Sequence, residues 1–239
     1  MSSQPIMLYF PLLVWISLNP HLAMRAGDVS SSGNVPVKNI VVLGDSHVVG
    51  DFGEYLHREL HNLKNYNVTS VGIGGAGSVH FTMTMKNFCC GYKVRESCWF
   101  DSIPETEKIR VMEKSDGSTN VVVGKPFKGK LGNLLKHYEP DIVVVALGSN
   151  NTNAHEELVQ MIWKDNPARK IIWVGPIRRA NIEERLYPID MVLRKHPDID
   201  FVSCEDIIGH DTVTSAHYFG KPARNWAKKV VGRMQPFLY

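Results

Sequence analysis

Five short apolar runs, rich in valine and isoleucine, punctuate the chain: NIVVLG (39–44), NVTSVG (67–72), DIVVVALG (141–148), KIIWVG (170–175) and DIDFVSC (198–204). Most are near-continuous rather than alternating, the pattern of strands covered on both faces. Between them the spacing turns helical. FGEYLHRELHNL carries Phe52, Leu56, Leu60 and Leu63, and AHEELVQMIWKD places Leu158, Met161 and Ile162 on one face. KGKLGNLLKHYEP stops at Pro140, IEERLYPIDMVLRKH contains Pro188 and is expected to kink or break there, and KPARNWAKKVVGRM is the last helical stretch. Strands alternating with helices pair in parallel through right-handed crossovers. The expected class is therefore α/β: a three-layer α/β/α sandwich around a five-stranded, mainly parallel sheet.

One segment interrupts the alternation. Residues 85–128 hold three of the four cysteines and the run KIRVMEKSDGSTNVVVG, in which Asp116-Gly117 between two β-prone stretches signals a hairpin. A small β-hairpin insertion at the sheet edge is expected, within a folded domain spanning 39–239. Cys89, Cys90, Cys98 and Cys204 lack zinc-ligand spacing, so no metal is expected. A bridge from Cys98 to Cys89 or Cys90 is expected if the chain is exported. Otherwise all four remain small, reduced and apolar.

Export is the expectation from residues 1–26. IMLYFPLLVWISL (6–18) is apolar, too short to span a bilayer comfortably and interrupted by Pro11. Ala23 and Ala26 follow as residues that end a signal peptide, although no Lys or Arg precedes the apolar run. Residues 27–38 read as a flexible lead-in. A secreted or periplasmic location follows, with no stable membrane span once the leader is removed. The balance of 27 basic against 24 acidic residues, +3 overall, is too even for a nucleic-acid groove, and no block of five or more basic residues exists.

In an open parallel sheet, ligands bind outside the carboxyl ends of the strands. Four of the five runs end in small or polar residues: Gly44-Asp45-Ser46, Gly72 through Gly77, Gly148-Ser149-Asn150 and Gly175-Pro176. The loop EDIIGHDTVTSAHYFG adds Asp211 and His217 just before the last helix. A hydroxyl, an imidazole, glycines and a carboxamide on one edge suit acyl transfer. That chemistry needs an oxygen nucleophile deprotonated by a base and an oxyanion met by preorganised donors.

GDSH after the first run, GIGGAG after the second, LGSNN after the third and a histidine before the last helix resemble the blocks of the SGNH (GDSL-type) hydrolases, in order and from about residue 39 onward. The resemblance implies a flavodoxin-like fold with Ser46 as nucleophile and His217 as base. It implies an oxyanion hole made of the Ser46 backbone N–H, Gly75 and Asn150, with no cofactor. Two positions depart from the pattern. Thr214 stands where the family carries an acid three residues before the histidine, leaving Asp211 to orient the imidazole or a Ser46–His217 dyad to work alone. Asn151 replaces an acid of the third block.

The implied activity is hydrolysis of small acyl esters, foremost O-acetyl, on an acylated carbohydrate of the cell envelope or exterior. An O-acetyltransferase of the same fold and a catalytically silent glycan-binding module are the alternatives. Each residue also has a structural reading: Ser46 or Asp45 as a helix N-cap, His47 and His80 as packing groups, Arg178 and Arg179 as an exposed basic pair. Gly72, Gly74 and Gly77 also spell G-x-G-x-x-G. The stretch follows the second strand rather than the first, and no acid ends a strand about 20 residues on, so the dinucleotide reading is the weaker one.

Overall fold

The computed structural model describes residues 36–63, 65–97, 111–113, 129–150, 154–177, 182–206 and 217–239. Nine strands appear: β1 (Lys38–Gly44), β2 (Tyr66–Ile73), β3 (Thr84–Met85), β4 (Tyr92–Glu96), β5 (Val111–Glu113), β6 (Gly129–Lys130), β7 (Ile142–Ala146), β8 (Lys170–Val174) and β9 (Asp200–Val202). The helices are α1 (Ser46–Val49), α2 (Asp51–His61), α3 (Val79–Thr82), α4 (Leu131–Tyr138), α5 (His155–Trp163), α6 (Ile182–Lys195) and α7 (Gly220–Met234).

The five apolar runs form the parallel core β2-β1-β7-β8-β9. Successive strand side chains point to opposite faces, and each face has its own core. Ile40 and Val42 of β1 pack with Phe52, Leu56 and Leu60 of α2 and with Trp226 and Val230 of α7. Val41 and Leu43 belong to the opposite core with Leu134 of α4, Leu158 of α5 and Ile189 of α6. A strand buried on both sides has no polar face, hence the unbroken runs of valine and isoleucine. The three-layer α/β/α sandwich is as expected.

The strand count differs. The sheet has seven strands, in the order β5-β4-β2-β1-β7-β8-β9, because β4 and β5 of the inserted segment add antiparallel to the β2 edge. YKVRE, the sequence of β4, mixes lysine, arginine and glutamate with its apolar residues and so lacks the signature of a doubly covered strand. The insertion is closed at its base, where Thr84 pairs with Lys130 and Met85 with Gly129. The expected turn at Asp116-Gly117 lies outside the described residues.

Two further expectations are corrected. Cys89, Cys90 and Cys204 carry free thiols, so the bridge from Cys98 to Cys89 or Cys90 is not formed. Both thiols of the pair are occupied locally: Cys89 Sγ lies 3.2 Å from the Gly74 carbonyl it donates to and 2.6 Å from Cys90 Sγ. The second correction concerns α6, which runs unbroken through Pro188. Proline withholds a hydrogen bond from the carbonyl four residues back, here that of Glu184. Glu184 is exposed, so water can serve that carbonyl and the break is avoided.

Candidate active site

Parallel-strand order reverses between β1 and β7: the chain moves from β1 outward to β2, then returns across β1 to β7. Loops leaving β1 and β7 diverge to opposite faces, and the crevice between them is where α/β sheets bind ligands. The GDSH and LGSNN loops both open there.

Asp45 ends the β1 run and caps α1. Its Oδ1 accepts from the His47 backbone N–H at 2.9 Å, and the side chain is 1% exposed. The choice left open by the sequence is thus settled for Asp45 as N-cap. Ser46 is the first helical residue, half-buried, and no hydrogen bond engages its hydroxyl among the described residues.

A residue with no signal in the sequence holds this turn from behind. Arg95 of β4 is fully buried, and its guanidinium donates to the carbonyls of Val48 (2.6 Å), Val49 (2.9 Å) and Gly50 (3.2 Å), the last turn of α1. Its Nε donates to Glu54 Oε2 of α2 at 3.1 Å, and Glu54 Oε1 accepts from Arg58 at 2.8 Å. In a helix this short the Gly50 N–H reaches the Ser46 carbonyl, and the Val48 and Val49 carbonyls after it need partners from outside the helix. Arg95 supplies those partners. Its positive charge, buried, is balanced by Glu54.

Gly75 has φ +72°, a conformation that favours glycine, and an added Cβ would lie 2.6 Å from Cys89 Sγ. The flanking amides are committed, Gly74 N–H to Gly91 O and Ala76 N–H to Ile73 O, whereas no bond engages the Gly75 N–H among the described residues. The other glycines of this stretch serve close packing. A Cβ on Gly72 would sit 2.6 Å from Val49 N, and one on Gly74 2.7 Å from the Cys90 carbonyl carbon. The protein's own backbone fills the space above the G-x-G-x-x-G stretch where a pyrophosphate would lie. Burial, then Cys89 and then Asp45 push the Cys90 thiol up to about 11, so it is a neutral group at the site's edge.

Asn150 joins the three loops. Its Nδ2 donates to Ala76 O at 2.8 Å and lies 3.5 Å from Asp45 Oδ2. One N–H is committed and the other only loosely engaged. His217 packs against His47, the residue after Ser46. Its ring centroid is 5.1 Å from that of His47, which in turn meets Trp226 edge-on at 5.3 Å, and Trp226 stacks on Phe52 at 3.6 Å. The approach of α7 is fixed by Asp51, whose Oδ2 accepts from the Gly220 N–H at 2.7 Å. Asp51 was not foreseen; an acid in a first helical turn reads simply as a favourable end charge.

Ser46, Gly75, Asn150 and His217 are thus gathered at one end of the sheet. Asp211, Thr214, Asn151, Arg178 and Arg179 lie outside the described residues. His80 has a packing role, with Nδ1 accepting from Gly77 N–H at 3.1 Å and its ring 4.2 Å from Phe88. His47 is buried between His217 and Trp226.

No family model and no curated protein matches the sequence. Solved structures do match. A protein from Bacteroides ovatus described as a GDSL-like lipase aligns over 86% of this chain and 55% of its own, at TM-score 0.54 and 16% identity. The fold is that of GDSL-type hydrolases. A family two carbohydrate esterase from Cellvibrio japonicus aligns over 84% of this chain and 61% of its own (TM-score 0.53, 15% identity). An acetyl esterase mutant with acetate ion aligns over 84% and 97% (TM-score 0.51, 12% identity). The chain therefore spans little more than half the length of the first two. Within the GDSL-type fold, the loops after β1, β2 and β7 are those that carry Ser46, Gly75 and Asn150. Among the described residues, no helix is long and apolar enough to cross a membrane.

Proposed function

We propose that the chain is a serine esterase that removes small acyl groups, foremost acetyl, from a carbohydrate. The observation that carries the reading is the Asp45–Ser46 turn. The acid takes the capping duty and the serine hydroxyl is left uncommitted, with Asn150 bridged to the same acid and His217 packed on the next residue. Two of the structural neighbours, a carbohydrate esterase and an acetyl esterase, support the acyl and carbohydrate parts of the reading.

In the proposed cycle, His217 takes the Ser46 hydroxyl proton as Oγ bonds to the ester carbonyl carbon. The carbonyl π electrons move onto oxygen, and that oxyanion receives hydrogen bonds from the Ser46 and Gly75 backbone N–H groups and from Asn150 Nδ2. Collapse breaks the bond to the leaving oxygen, which receives the proton from His217. Water repeats the sequence on the acyl-enzyme, releasing the acid and the free serine. Asp211 orients His217, or the pair works as a dyad. An exported setting rests on residues 1–26 alone.

Hydrolysis of p-nitrophenyl acetate by the wild-type chain and by Ser46→Ala tests the reading. Loss of at least about 1,000-fold in the variant is expected. Labelling by a fluorophosphonate should map to Ser46. Equal background rates in both proteins, with no labelling, would instead leave a silent binding module. If the free hydroxyls of an added oligosaccharide outcompete water for the acetyl group of p-nitrophenyl acetate, the activity is a transferase.

A further inference from the structure

A second concavity lies away from Ser46, between α5 and α6. It has a volume of about 610 Å³, within the roughly 300–1,000 Å³ of small-molecule sites. His155, the first residue of α5, forms part of its wall and is 6% exposed. Its Nδ1 is buried and has no hydrogen-bond partner among the described residues. Burial pulls the imidazole down to about 4, so the ring is neutral at physiological pH. A buried ring nitrogen without a partner is uncommon in a packed wall. The ring's orientation is set by Trp173, edge-on at 5.0 Å, whose own Nε1 donates to Leu147 O.

The remaining wall narrows the ligand chemistry. Tyr187 and Met191 of α6 are 65% and 50% exposed, a large apolar platform on a helix whose other exposed residues are Glu183, Glu184, Arg194 and Lys195. Across from them, Glu157 and Gln160 of α5 bring a carboxylate and a carboxamide. Glu156, beside them, is held down to about 2 by Lys195, with His196 and Gln160 adding their hydrogen bonds. Two carboxylates in the first turn of α5 repel an anion, although Ala154 leaves that helix end without a side-chain cap. The Glu156 charge is already matched by Lys195, and the exposed Glu157 carboxylate is screened by solvent, which leaves little net field to draw a cation. An entirely apolar ligand would offer no partner to the Glu157 and Gln160 side chains of the wall. What fits is a neutral molecule with one apolar face and a hydroxyl-bearing edge.

We propose that this cleft is a carbohydrate-binding site separate from the Ser46 edge, taking a neutral pyranose that stacks on Tyr187 and hydrogen-bonds to Glu157 and Gln160. Aromatic faces match the C–H face of a sugar ring, while the rim groups read its hydroxyls. The cleft opens five residues beyond Asn150, on the helix that follows the third active-site loop. A polymer held there would be tethered to the same loop that serves the acyl centre. The proposal goes beyond the esterase reading and does not depend on turnover.

Its test is calorimetric and NMR titration of the full chain carrying Ser46→Ala with xylotriose and with cellotriose, so that no hydrolysis intervenes. Saturable binding in the millimolar range is expected for at least one, with the His155 ring signals shifting. Tyr187→Ala and Gln160→Ala, each added to that background, should weaken it about tenfold, the scale of one stacking or hydrogen-bonding partner. Both side chains are too exposed for their removal to unfold the chain, so the variants decide. In the otherwise native chain, Tyr187→Ala should leave p-nitrophenyl acetate turnover unchanged. Absence of saturable binding to both sugars overturns the proposal, as does binding that Tyr187→Ala leaves intact. Loss of esterase activity in the native chain would leave these outcomes untouched.

Discussion

The two ends of the parallel sheet are built from the same kinds of side chain and put them to opposite uses. At the amino end, Asn39 and Asp141 close on each other: Asn39 N–H donates to Asp141 Oδ2 at 2.7 Å, and Asp141 N–H to Asn39 O at 2.9 Å. Lys170 N–H also donates to Asp141 O, and Arg169 donates to the carbonyls of Pro140 and Ile162. At the carboxyl end, an Asp, an Asn and an Arg again appear, but Asp45 and Arg95 hold a turn in place while the Ser46 hydroxyl and the Gly75 N–H stay uncommitted. One end spends its polar groups on joining strands. The other uses them to hold a turn on which the Ser46 hydroxyl is unengaged among the described residues. Helix polarity supplies the reason: helices following parallel strands begin at the carboxyl end, so their unsatisfied N–H groups collect there.

Four measurements sharpen or break that contrast. The largest effect is expected from Arg95→Met, which leaves Glu54 buried with its Arg95 contact gone and the Val48 and Val49 carbonyls without their donor. A loss of about 3–5 kcal/mol in urea unfolding is expected, with esterase activity falling in step. A stable variant with full activity would show that the turn carrying Ser46 needs no support. Asn150→Ala comes next, with kcat for p-nitrophenyl acetate lowered on the order of 100-fold and KM little changed. A change confined to KM would remove Asn150 from the oxyanion hole.

The third measurement uses pH. His155 has its imidazole at about 4 in the folded chain against about 6.5 when unfolded. Between those values the unfolded chain binds the extra proton, so stability is present above pH 6.5 and falls as pH drops towards 4. Thermal unfolding of His155→Phe should show a shallower decline over that window than the wild type. A parallel decline would mean that the ring is not desolvated. The smallest effect belongs to the amino end: Asp141→Ala should cost about 1 kcal/mol in unfolding free energy and leave kcat alone. An activity loss there would erase the division of labour between the two ends.

The parallel core was legible because its strands are buried on both faces, and apolar runs such as IVVLG and IVVVA admit no other cheap placement. Ser46, Gly75, Asn150 and His217 were legible as candidates because each sits where a strand stops or just before the last helix. Arg95 and Asp51 were not. Their backbone partners are 45–47 and 169 residues distant, respectively, and Arg95 also meets the Glu54 carboxylate 41 residues away. Neither backbone carbonyls nor an amide leave a mark in side-chain pattern. β4 was hidden for a related reason: an edge strand that carries a buried arginine looks polar until its partners are known.

The two ends of the insertion touch, Met85 against Gly129, so the intervening 43 residues look like a piece that could be lifted out cleanly. A shortened chain joined at that point would retain all four proposed reactive positions. It would also discard Arg95 and, with it, the brace behind Ser46. Trimming the chain there would thus keep the four proposed positions and remove the group that holds the first of them in place.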